Sequence, residues 1–267
     1  IGFPHSVNLF KKEEILEEIR KELITWFWPC LIGDKPKNIF ELERYENDKK
    51  VEFHRILEPG NEWQPYIDAF QKITNSEKAK SPGNIAEGDI TSKIPKRVEE
   101  PTHPSFNTNN LLRVSRFDED YLKHPYSNHV ALIRNSRMVI KYHKPGQNPL
   151  DENLPYFGVL KVGTLLGDDD KHKWSNGFYR MCEPPLHDDW TGETKRATNL
   201  IHNFGQNSGA TGSIVKLKTD INELVFELLD QKTTLEKEGP AELASLFKFG
   251  GKGKKSVARK FSTTITN

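Results

Sequence analysis

His129-Val-Ala-Leu-Ile-Arg-Asn-Ser-Arg-Met-Val-Ile-Lys-Tyr-His143 is the stretch from which the fold is read. Apolar residues fill both arms, and the β-branched ones (Val130, Ile133, Val139, Ile140) favour strand. Between them stands Asn135-Ser136. Asn tolerates the positive φ that tight hairpin turns require, so the stretch predicts a β-hairpin. A third apolar run, Tyr156-Phe-Gly-Val-Leu-Lys-Val-Gly163, follows a loop of Pro, Gly and Asn and predicts a further strand. Then comes Arg180-Met-Cys-Glu-Pro-Pro-Leu-His-Asp-Asp-Trp190, which packs two prolines, a histidine and three carboxylates into a short segment.

Working outward, the spacing of Ile15, Ile19, Leu23 and Phe27 predicts an amphipathic helix over 11–28, ended by Pro29. Trp26-Phe-Trp28 reads as a core plug, since large aromatics dominate burial. Residues 39–45 and 51–56 predict short strands. Tyr66, Ile67, Phe70 and Ile73 predict a helix over 63–73. Residues 76–110 change character: with Pro82, Pro95, Pro101 and Pro104 they read as a loop-rich linker or excursion. Residues 111–117 are either a strand returning to the sheet or a helix start.

Downstream, 167–173 reads as a charged turn. Ala197, Leu200, Ile201 and Phe204 predict a helix over 190–204. Gly205–Gly212 reads as a flexible connection: it has neither the lysine of a Walker-type loop nor GxGxxG spacing. Ile214–Leu217 predicts a short strand, and Asp220 an N-cap for a helix over 220–231. Pro240 suits the first turn of a last helix through Phe249. The expected fold class is therefore α+β. A mixed sheet is built on the hairpin at 129–143 and the strand at 156–163, and helices at 11–28, 190–204 and 220–231 pack on it. The expected organisation is a lead-in region over 1–75, the linker over 76–110, an α+β domain over 111–235, and a helix with a basic tail over 236–267.

The bulk numbers exclude some classes of function. The chain has 267 residues, 35% of them hydrophobic, and a formal net charge of +1. No whole-molecule field draws it to nucleic acid or membrane, so such binding needs a local patch. No apolar run is long enough for a membrane span, and no secretory signal stands at the start. Two distant cysteines, Cys30 and Cys182, argue against a disulfide framework and for a reducing, cytoplasmic setting. The chain begins with Ile1, which predicts that it is part of a longer protein.

Three local patterns carry chemistry. The basic run Lys248, Lys252, Lys254, Lys255, Arg259 and Lys260 is either a site that neutralises nucleic-acid phosphates or a charged linker. Asp168-Asp-Asp170 lacks the alternate spacing and distal Glu of a calcium loop, and reads as a solvated tip. A metal-dependent hydrolase on Asp168–Asp170 or Glu183–Asp189 is the third and weakest reading. His187, protonated, is a candidate phosphate contact, and its alternative is a structural histidine bonded to a carboxylate.

The central stretch resembles the transducer domain of GHKL-type ATPases of the MORC and MutL kind. Ala131-Leu-Ile-Arg-Asn-Ser-Arg-Met-Val-Ile-Lys-Tyr142 has the form of that family's paired strands and turn. Gly158-Val-Leu-Lys-Val162 matches a Gly-Val-Leu-x-Val strand, and Glu183-Pro-Pro-Leu-His187 matches a Glu-Pro-x-x-His segment that faces the nucleotide domain. The resemblance covers about a quarter of the chain. It implies that ATP binding in another lobe is coupled to a conformational change. ATP and Mg would be held mainly outside this chain, on an upstream or separate ATP-binding domain, because no Asn-box Glu and no Asp-x-Gly-x-Gly is present. It further implies a homodimer formed through that lobe, DNA as a partner, no membrane, and a role in a DNA-related or bacterial defence process. The chain is not expected to be catalytic alone. The family offers a lysine to the terminal phosphate from the segment matched by 183–190. Here His187 stands in that segment and Lys195 lies several residues on, which makes these two the candidate phosphate sensors.

Overall fold

The computed structural model describes residues 12–32, 40–46, 48–56, 58–71, 78–95, 105–146, 154–186, 188–194 and 209–229. In chain order the elements are α1 (Lys12–Leu31), β1 (Phe40–Glu46), β2 (Lys49–Ile56), α2 (Gln64–Gln71), β3 (Ile85–Ile94), β4 (Phe106–Arg116), β5 (His129–Ile133), β6 (Val139–His143), β7 (Tyr156–Lys161), α3 (Asp170–Met181) and α4 (Gly209–Leu228). Strands β1 and β2 form an antiparallel pair, and the other five form one mixed sheet in the order β3-β4-β7-β5-β6. The α+β class, with its sheet built on the hairpin and the third strand, is as the sequence predicts.

Strand β5 reads apolar without alternation because both faces of the sheet are covered. Val130 and Leu132 face one core, with Leu112, Leu160, Phe178, Tyr179 and Trp190 and the α4 residues Ile214, Leu217, Ile221 and Val225. Ala131 and Ile133 face the other, with Ile24, Trp28 and Leu31 of α1 and Tyr66, Ala69 and Phe70 of α2. Helices α1 and α2, from the region expected to lead in, cover one face of the sheet. Strand β7 pairs parallel with β5, which places Gly158 beside Val130. A Cβ on Gly158 would lie 2.7 Å from the Val130 side chain, so this close approach needs glycine.

Several elements differ from the sequence expectation, each for a physical reason. Pro29 lies inside α1 and does not end it. A proline there removes the N–H that would reach the Thr25 carbonyl. The buried Tyr142 hydroxyl takes its place, donating to the Thr25 oxygen at 2.5 Å and accepting from the Trp28 indole at 3.1 Å. The hairpin turn closes from the Arg134 carbonyl to the Arg137 N–H, and the positive φ falls on Arg137 (53°), beyond Asn135-Ser136. The interval 76–110 contains β3, whose ten residues pair with β4 in unbroken antiparallel register. Pro82 and Pro95 flank that strand, and the prolines did not break it. Residues 111–117 belong almost wholly to strand β4.

The charged turn at 167–173 is a helix start. Asp169 caps α3, its carboxylate accepting from the His172 N–H at 2.9 Å. Ile214–Leu217 is helix and not strand, and Asp220 lies mid-helix, where it pairs with Lys216 at 2.8 Å. Gly209–Gly212 forms the first turn of α4 and is no loop. Of the helix expected over 190–204, residues 190–194 are non-helical, and 195–204 lie outside the described residues. The last helix at 240–249 also lies outside them. Among the described residues no helix is long and apolar enough to cross a membrane.

Candidate functional site

After α3 the chain leaves the helix at Cys182 and returns at Thr191. The Thr191 N–H donates to the Cys182 carbonyl at 2.7 Å, and the Thr194 hydroxyl to the Met181 carbonyl at 2.6 Å. These bonds close the base of an Ω-type loop over 183–190. Gly192 packs so tightly on the first turn of α4 that a Cβ would collide with the Thr211 backbone. The loop therefore stands on a fixed base.

Its two ends are clamped by charge. Glu183, whose side chain is 1% exposed, receives two bonds from Arg134 in the hairpin turn: Nε to Oε2 at 2.5 Å and Nη2 to Oε1 at 3.1 Å. A bidentate partner of this kind offsets the hydration that a buried carboxylate loses. At the other end, Asp189 accepts from Lys141 of β6 at 2.6 Å, from Lys218 of α4 at 2.9 Å, and from the Trp190 N–H at 2.7 Å. Partial burial works to raise the Asp189 pKa, but the hydrogen bonds from Lys141 and Lys218 and the Lys218 charge outweigh it and hold the group below the usual carboxylate value. Next to Asp189, the Trp190 ring is fully buried against Tyr179 at 4.7 Å. Between the clamps Pro184 and Pro185 stiffen the chain, and Leu186 stands 82% exposed.

The neighbouring His143 is pushed to lower pKa chiefly by burial, although the Asn222 side-chain oxygen, 2.8 Å from its Nε2, favours the charged form.

The structure brings the three segments of the resemblance together. The hairpin carries Arg134 and Lys141, β7 pairs with β5, and 183–190 bonds to the hairpin at both ends. Of the residues singled out from sequence, Glu183 and Asp189 are thus in the clamps. Asp169 is the cap of α3, and Asp168 and Asp170 flank it. His187, Lys195, Lys248, Lys252, Lys254, Lys255, Arg259 and Lys260 lie outside the described residues. Among the described residues no group of three or more His, Cys, Asp or Glu is placed to hold a metal ion. The sequence reading missed Arg134, Lys141 and Lys218 as partners of this loop. Each sits on a different turn, strand or helix from its carboxylate, and no local pattern signals such pairs.

No family model, no curated protein and no solved structure matches the chain.

Proposed function

We propose that this chain is the coupling region of a GHKL-type ATPase, and that the loop at 183–190 is its input surface. What supports this reading is the double clamp: the segment that the resemblance directs at a nucleotide lobe is held rigid from Arg134, Lys141 and Lys218 while its tip stays exposed. A rigid, exposed loop between a sheet and a helix transmits displacement, because packed elements shift as bodies and do not deform smoothly. Lys141 and Lys218 supply, from two other elements, the positive charge that the loop itself lacks. They suit a terminal phosphate, whose contacts are charge-assisted, and Asp189 is then the group such a phosphate displaces.

On this reading ATP and Mg are bound in a partner lobe, which supplies the bond-breaking chemistry. This chain positions and responds, and it works inside the cell, in a DNA-related or defence process. The test is ATP turnover by two preparations. The isolated chain is expected to turn over none. The natural protein that includes an ATP-binding lobe is expected to do so, and Lys218→Met in it to lower turnover while leaving nucleotide affinity of the lobe within a few-fold. Turnover by the isolated chain that disappears on replacing one of its own residues overturns the reading.

A further inference from the structure

A second cluster lies on the opposite face of the sheet, where α1 and α2 end. Lys161, the last residue of β7, donates to the Phe70 carbonyl at 2.6 Å and stands over the Phe70 ring, 3.8 Å from its centroid. Arg113 of β4 donates to the same carbonyl oxygen at 2.8 Å, and its Nε pairs with Glu87 of β3 at 3.0 Å. Arg137 of the hairpin turn donates to the Ile32 carbonyl at 3.0 Å, just past the end of α1. Two cations thus share one neutral acceptor, with a third close by.

Among the described residues, capping of the helix ends accounts for the hydrogen bonds but not for the charge. The two C-termini contribute roughly half a unit of negative charge each at most, and Glu87 contributes one. Three full positive charges face them. Arg137 and Lys161 meet carbonyl oxygens and no carboxylate among the described residues. Like charges gathered in a partly dry place are costly, and an anion between them removes the cost. The surplus shows in Lys161 itself. Burial, then Arg113 and Arg137, push its pKa down to about 8, against the opposing effect of Glu87. Arg137 is exposed, and Lys161 and Arg113 are half-buried.

We propose that this end of the sheet is a binding site for a phosphate-type oxyanion, held by Arg137, Lys161 and Arg113. Guanidinium groups offer forked donors to tetrahedral oxyanions, and an ammonium adds a point charge. The site is independent of the 183–190 loop, and its existence does not depend on the ATPase reading. The two share the hairpin turn, since Arg134 holds the loop and Arg137 the anion, four residues from end to end of one turn.

The probe is inorganic sulfate, whose charge does not change near neutrality. It is titrated into the full chain at constant ionic strength, and binding is followed by side-chain chemical shifts of Arg137 and Lys161. Saturable binding is expected, about tenfold weaker in Arg137→Gln and unaltered in Arg20→Gln, a surface control. Far-UV circular dichroism and the thermal midpoint establish that Arg137→Gln remains folded. Affinity is expected to fall as pH rises through about 8, where Lys161 loses its proton. Lys161→Arg is expected to bind with no such pH dependence. Equal responses of wild type and Arg137→Gln mean only the general stabilisation that sulfate gives proteins, and overturn the proposal; so does absence of saturation. Inorganic phosphate and a nucleoside monophosphate, titrated alongside, distinguish a free anion from a phosphate ester as the occupant, and saturable binding of either supports the site.

Discussion

At the scale of single residues, two side chains replace bonds that the backbone or solvent cannot supply. The Tyr142 hydroxyl satisfies the Thr25 carbonyl that Pro29 leaves open. Tyr142→Phe is expected to cost about 1–3 kcal/mol in urea denaturation, the price of a buried group left unpaired. In a Pro29→Ala background the same change is expected to cost less, since the alanine N–H can serve Thr25; an unchanged cost contradicts this account. Glu183 depends likewise on Arg134. Arg134→Met is expected to destabilise by about 3–5 kcal/mol, because it strands a buried carboxylate, while the double change Arg134→Met, Glu183→Met recovers most of the loss. A double variant as unstable as the single one argues against the pair as drawn.

Titration adds a third test at this scale. Burial, with a contribution from His129, pushes the His124 pKa down to about 4 against the opposing charge of Glu62, and its Nδ1 accepts from the Tyr126 N–H at 3.1 Å. The folded state therefore binds fewer protons at this residue than the unfolded state between about pH 4 and the ordinary value near 6.5. Stability is expected to be fully present above that value and to fall as pH drops toward 4. His124→Phe, packed against the same Trp63 and Phe157 rings, is expected to flatten this part of the stability profile.

At the scale of elements, the loop over 183–190 opens when its clamps fail. The Asp189 pKa is held low, so its clamp is present above the ordinary carboxylate value and lost as pH falls through the lower folded one. Asp189→Asn is expected to raise amide exchange in 184–190 at neutral pH while β7 stays protected. Exchange that rises equally in β7 shows global loosening and tells against a local clamp.

This scale also shows what was legible in the sequence. The hairpin, β7, β1, β2, α1 and α2 were readable because burial imposes periodicity or unbroken apolar runs. Helix α3 was not, since its buried face is only Ser175, Phe178 and Tyr179 amid charges, and its start looks like an acidic turn. Helix α4 was half read: Ile214 to Leu217 is β-branched and short enough to pass for a strand, and its first turn carries two glycines. Strand β3 was hidden because prolines on both sides of it drew attention from Ile85, Ile90 and Ile94, whose burial against α4 and the sheet makes it a strand. Of the candidate site, Glu183 and Asp189 were quoted in sequence, but their cationic partners come from 29 to 49 residues away. Such pairing is a property of the topology alone.

For the molecule as a whole, the sheet separates two charged features that share one turn. On one face Arg134 and Lys141 hold the loop, and on the other Arg137 meets the end of α1 and Lys161 and Arg113 the end of α2. The turn is also tied to α1 by the Cys30 thiol, which donates to the Ser136 and Arg137 carbonyls at 3.4 and 3.2 Å. The most direct measurement of the proposed coupling is hydrogen–deuterium exchange on this chain together with the ATP-binding lobe proposed as its partner, with and without a non-hydrolysable ATP analogue. The account predicts that the analogue changes exchange in 183–190 and in the turn at 134–137, and that Lys218→Met abolishes the change without preventing nucleotide binding. Exchange in both segments that is the same with and without bound analogue would contradict it.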